Sequence, residues 1–312
     1  MRSRGPYLAL GAVVAAQWAA VLLLARRVGS GDAGLLLAFL QALTLLPVAV
    51  AAVYGIAAAL AGPRLGVFAA AVWALGPYAL IPFVDPRYEE RYLEGVLAVL
   101  GGLTDEPELP ALVLLVVAAA LAVRVAQGGR AREAALAGLA AGAACAVETS
   151  SLVFLPAPVL AFLVARRPRV VAPFALAVLP GLALLWIAGD GLGTFSGAGT
   201  WSHLHTNELL VREYSWSVRI PEWLLLAGLV GVARRSLPVA ALLAAWFGAF
   251  LLVRGTDPAL TIQNVGFLRE LVPALPAFAL LAAAVPLLLP PLPPLRGWFG
   301  RRVVGGREGS DP

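Results

Sequence analysis

Residues 103–124 read LTDEPELPALVLLVVAAALAVR. From Ala111 to Val123 every side chain is apolar, and the run is closed by Asp105, Glu106 and Glu108 at one end and Arg124 at the other. A bilayer core of about 30 Å is crossed by about 20 apolar residues in a helix. This stretch therefore reads as a membrane-spanning helix with acids at one mouth and a base at the other. Pro107 and Pro110 mark its start, where a missing backbone N–H costs nothing.

Working outward, the rest of the chain repeats the pattern. It is 61% hydrophobic and 13% charged, against about 25% charged in a soluble domain, and its mean hydropathy is +0.87. Apolar runs fall near 7–25, 34–60, 65–84, 110–127, 132–148, 151–165, 170–188, 221–233, 237–253 and 268–289. The expected fold is all-α: a polytopic transmembrane helical bundle of about ten spans in one domain, residues 1–290. Residues 291–312 form a Pro-rich, basic tail that is expected to be disordered and cytoplasmic. Several runs carry proline (LLPVAV, LGPYALIPF, LVPALPAF), tolerated where neighbours satisfy the freed backbone groups. The first run is closed by Arg26 and Arg27 and reads as an uncleaved anchor rather than a secretory signal.

Charge sets the orientation. All 23 basic residues are Arg. With both termini in the cytoplasm and sides alternating, fifteen Arg and three acids fall inside, leaving +12 there and −7 outside. The positive-inside rule favours this arrangement in a plasma membrane. A pI near 10 then reflects arginines flanking spans and no nucleic-acid partner. Cytoplasmic links are short and lack Gly-rich phosphate loops, which argues against a nucleotide substrate. Span centres offer only Gln17 and Gln41, so transport by a charge relay is disfavoured. Gly138 and Gly142 are expected to let two helices approach closely.

Chemistry is therefore expected at the outer boundary. Residues 85–110 hold seven of the eighteen acids. Asp105 or Glu106 could serve as a general base toward a hydroxyl, although acids also favour helix N-termini through the macrodipole. Glu89, Glu90, Arg91 and Glu94 are spaced like a solvated helix face. Arg269, at the mouth of the last span, could hold a lipid phosphate or simply pair with Glu270. Glu148 falls at a tight turn where Thr149, Ser150 and Ser151 can cap the next helix. His203 and His205 form an H-x-H with no third ligand fixed by spacing, short of the usual metal set. Trp201, Tyr214, Trp216 and Trp223 fit an interfacial aromatic belt.

Taken in order, the acid-headed span GGLTDEPELPALVLLVVAAALAVR, the span and turn AALAGLAAGAACAVETSSLVFLPAPVLAFLVARRPR and the mouth GFLRELVPALPAFALLAAAVP resemble the GT-C superfamily of integral-membrane glycosyltransferases, in particular bacterial protein-mannosyltransferase-like members. The resemblance covers about residues 34–290. It implies inverting transfer of a sugar from a polyprenyl-phosphate donor to a hydroxyl of an acceptor glycan, lipid or protein on the extracytoplasmic face. A divalent metal ion is compatible with it and not required by it. On matching positions Asp105 or Glu106 would supply the catalytic acid of the second outer loop, and Arg269 the phosphate-holding guanidinium, with Glu148 and Asp85 beside the substrate. Glu148 stands where many relatives carry Lys. Relatives also keep a long first outer loop with an acidic motif, whereas ARRVGSGDAGLLL joins the first two spans here and leaves Asp32 as its one acid. A catalytically silent scaffold or lipid-binding protein is the alternative expectation.

Overall fold

The structure, a computed structural model, describes residues 5–28, 32–84, 89–90, 92–104, 107–187, 205, 216–255 and 269–289. Among these residues there are helices and turns and no strands. The helices are α1 (Gly5–Val28), α2 (Asp32–Ala61), α3 (Pro63–Ala79), α4 (Glu108–Ala126), α5 (Ala131–Val147), α6 (Pro156–Val164), α7 (Val171–Ile187), α8 (Trp216–Ala233), α9 (Leu237–Gly255) and α10 (Leu275–Ala284). Among the described residues five segments are long and apolar enough to cross a membrane: Gly5–Arg26, Phe39–Ala61, Glu108–Ala126, Pro168–Ile187 and Leu237–Arg254. Thr149–Val164, Glu222–Ala233 and Val272–Leu288 are shorter apolar helices.

Each of these elements lies on one of the predicted apolar runs, and proline decides where several of them break. The run expected over 65–84 is helical to Ala79, then tightens into a single 3₁₀ turn at Ile81–Phe83 around Pro82. The run over 268–289 divides into a 3₁₀ turn Val272–Ala274, α10 and a second 3₁₀ turn Val285–Leu288. Pro273, Pro276 and Pro286 each start one of these pieces, the position where proline's missing N–H is harmless.

At the centre stands α4. It packs against α2, α5, α6 and α9, and 61% of its span is buried, against 22–33% for the other four long segments. The most extensive helix pairing is α5 with α7. A β-carbon built on Gly142 would lie 2.7 Å from the Val178 carbonyl oxygen, and one on Gly181 would overlap the Gly142 backbone. Absence of side chains at these positions is what allows the contact. Gly228 faces the Leu281 carbonyl in the same way between α8 and α10. Away from these seams, Leu176, Leu179, Leu184, Trp186 and Ile187 of α7 are exposed. A large apolar outer surface of this kind suits hydrocarbon rather than water.

Within the acid-rich segment 85–110, the stretch Tyr92–Leu103 turns inward. Tyr92, Val96, Leu97, Ala98, Val99 and Leu100 are buried in a π-turn, Leu93–Leu97, that runs into a short helix, Ala98–Gly101. The Tyr92 hydroxyl donates to the Pro77 carbonyl oxygen at 2.9 Å. The apolar residues of YLEGVLAVL outweigh its one acid once a core is available to receive them. Glu90 and Glu94 keep the exposed positions expected of a solvated face.

Candidate functional site

Four separate parts of the chain meet at one end of the bundle. The first is the start of α4, where Pro107 occupies the cap position and Glu108 the first turn. An acid there is favoured by the exposed N–H groups and the helix dipole. The second is the turn leaving α5. Glu148 closes α5 in an extended conformation, φ −147° and ψ 114°, and its Oε1 accepts from the Ser150 N–H at 3.4 Å. The third is the approach to α10, carrying Arg269 and Glu270, and the fourth is the end of α9 with Arg254.

The central contact joins the first and third. Arg269 Nε and Nη2 both donate to a single oxygen, Glu108 Oε1, at 3.1 and 3.0 Å. Beside it, Arg254 Nη2 pairs with Glu270 Oε2 at 2.9 Å. Glu108, Glu148, Ser150, Arg269, Glu270, Val272 and Pro273 line a small open cleft of about 40 Å³, well below the roughly 300–1,000 Å³ typical of ligand sites. Glu108 Oε2 is buried with no hydrogen-bond partner among the described residues, as are Arg254 Nε and Ser151 Oγ. Polar atoms in that condition are costly unless water or a ligand meets them. The wall behind the cleft is rigid. Trp246 Nε1 donates to the Pro273 carbonyl oxygen at 3.1 Å, and the Trp246 ring meets Phe154 edge-on, 5.1 Å between centroids.

Of the residues singled out in the sequence, Arg269 and Glu148 are brought to the same cleft. Asp32 is the first residue of α2. Asp85, Asp105 and Glu106 lie outside the described residues, as do His203, Trp201 and Tyr214. Glu270 pairs with Arg254 rather than with its neighbour Arg269, because the paired groups approach from different segments while adjacent side chains diverge. Glu108 was visible in the sequence only as one acid among three. The sign that could have separated it from Asp105 and Glu106 is its position after Pro107, inside the first turn, where its side chain is carried by the helix. Glu270 was weighed only as a partner for Arg269, and Arg254 not at all, although it is a charged residue at the end of an apolar run.

Among the described residues no three His, Cys, Asp or Glu side chains are arranged to hold a metal ion. His205 is exposed.

Fold and cleft together define a class: a helical membrane protein with a charged, partly enclosed mouth at one end of its bundle. No protein-family model, curated protein or solved structure matches the chain.

Proposed function

We propose that the protein is a multi-pass plasma-membrane glycosyltransferase of about ten spans, both termini cytoplasmic, that transfers a sugar from a polyprenyl phosphate to an acceptor hydroxyl on the extracytoplasmic face. The observation that carries this reading is the Glu108–Arg269 pair at a cleft mouth. It brings the segment that follows the second outer connection against the guanidinium expected to bind phosphate, from 161 positions away.

In the reaction, the bond between the anomeric carbon and the phosphate oxygen breaks as the acceptor oxygen attacks from the opposite side, inverting the centre. The acceptor's proton passes to a carboxylate, for which Asp105 and Glu106, three and two positions before Glu108, are the candidates, with Asp32 the further acid. Arg269 stabilises the departing lipid phosphate, whose charge grows as the bond breaks. To do so it exchanges Glu108 Oε1 for phosphate oxygens, which match a guanidinium fork at least as well. Glu148 and Asp85 would border the sugar.

The test uses membranes containing the intact chain and radiolabelled polyprenyl-phosphate sugars. Label is expected to move to an endogenous acceptor, and to be lost on Arg269→Ala and on the Asp105→Asn/Glu106→Gln double variant. No transfer by the intact chain, or unchanged rates in both variants, would overturn the reading. One observation favours the alternative of a silent lipid-binding scaffold: Arg269 and Arg254 at the mouth already pair with Glu108 and Glu270. Retention of the lipid phosphate without sugar transfer would select it.

A further inference from the structure

The opposite end of the bundle carries the strongest charge in the described chain. The turn between α4 and α5 presents Arg124, Arg130 and Arg132, and the turn between α6 and α7 presents Arg166, Arg167 and Arg169. These two turns are joined, since the Arg167 guanidinium donates to the Val125 carbonyl oxygen at the end of α4. One acid, Glu133, lies among them, and both its oxygens are occupied. Oε1 pairs with Arg124 at 3.1 Å, and Oε2 accepts the Arg130 backbone N–H at 2.9 Å. Arg130, Arg132, Arg166 and Arg169 are exposed, and none of their guanidinium groups has an acidic partner among the described residues.

Backbone geometry adds an independent observation. Arg166 has φ 56°, and is the one non-glycine residue with positive φ among those described. It ends α6 in the left-handed conformation, its N–H donating to Leu163 O at 2.9 Å and that of Arg167 to Phe162 O at 2.9 Å. Glycine occupies such helix ends at the least cost, yet here the strained position carries an exposed cation. An outlier of this kind points to a use for the side chain.

We infer that the Arg130, Arg132, Arg166 and Arg169 cluster is a binding site for the headgroup of an anionic phospholipid. The site is at a helix end, where lipid phosphates lie, and directly beneath it α7 offers the exposed apolar side of Leu176 and Leu179 to the acyl chains. Guanidinium groups bind phosphate oxygens in pairs, and basic pockets between spans are suited to such headgroups. Nothing in this inference depends on the glycosyl-transfer reading.

The experiment is a thermal-shift titration of the full chain in a neutral detergent with short-chain phosphatidylglycerol, phosphatidylcholine or inorganic phosphate. Phosphatidylglycerol alone is expected to raise Tm, with the shift weakening as salt rises. Arg130→Gln/Arg169→Gln should weaken the apparent affinity by about fivefold for each arginine removed. The charge-matched control Arg234→Gln/Arg235→Gln, in the separate turn between α8 and α9, should change it less than twofold. Arg166→Gly separates binding from folding, because it should hold or raise Tm without lipid while lowering affinity for phosphatidylglycerol. Equal shifts with phosphatidylcholine, an equal response to inorganic phosphate, or equal losses in the two double variants would each overturn the proposal.

Discussion

Glu108 and Arg269 are half-buried, with side-chain exposures of 20% and 33%, and that decides how much the pair is worth. Fully exposed pairs contribute about 0–1 kcal/mol, while removing one member of a fully buried pair costs about 3–5 kcal/mol. A double-mutant cycle of Glu108→Gln and Arg269→Gln, read by thermal unfolding in detergent, should return a coupling energy of about 1 kcal/mol. Zero coupling would show that the contact does not persist in solution. Arg269→Lys should lose more sugar transfer than stability, since an ammonium cannot present two fixed donors to phosphate. Comparing initial transfer rates with Tm in that variant checks it. The sequence made Arg269 and Glu148 visible as candidates because each interrupts an apolar run. It could not show which acid Arg269 meets, because that contact depends on how α4 packs against the turn Val272–Ala274, and side-chain type at either position is indifferent to it. Asp105 and Glu106 drew attention as acids near a span, whereas Glu108 is the acid that the first turn of α4 carries into the cleft.

At the scale of elements, apolar runs were legible because hydropathy is a local property and the bilayer fixes the length that matters. Element ends were less so. The proline-broken segments 149–164 and 269–289 read as continuous spans, yet each contains 3₁₀ turns, since one proline removes a donor without changing hydropathy. Burial of Tyr92–Leu103 was missed for a related reason. The charges of Glu89, Glu90, Arg91 and Glu94 mark a solvated face and say nothing of the apolar residues between and after them, which recur at spacings a π-turn can bury. The α5–α7 seam gives a sharp prediction. Gly181→Ala should destabilise the protein by about 1–3 kcal/mol, the cost of overpacking, because its β-carbon meets the Gly142 backbone. Gly55→Ala in α2, with nothing within 4 Å, should be neutral or stabilising by up to about 1 kcal/mol. Parallel thermal melts of the two variants measure the contrast.

For the whole molecule, α4 links the two charged ends. Its 19 residues span about 28 Å at 1.5 Å per residue, close to the hydrocarbon thickness, so Pro107 and Arg132 should face opposite sides of the membrane. Cys145 is fully buried and leaves little background for thiol labelling. In intact cells a membrane-impermeant maleimide should label Pro107→Cys, and reach Arg132→Cys only after permeabilisation. Labelling of both from one side would mean that α4 does not cross. The reverse pattern would turn the cleft toward the cytoplasm and remove the extracytoplasmic reaction with it.

The 161-residue separation of Glu108 from Arg269 also has a bearing on biogenesis. At roughly 5–20 residues per second, about 10–30 s pass between emergence of the acid from the ribosome and arrival of its cation. During that interval α4 can already gather α2, α5 and α6, but its carboxylate must wait in water or at the translocon for the counter-ion that Arg269 supplies. Nascent chains halted before Arg269 would therefore hold much of the bundle with an unfinished mouth.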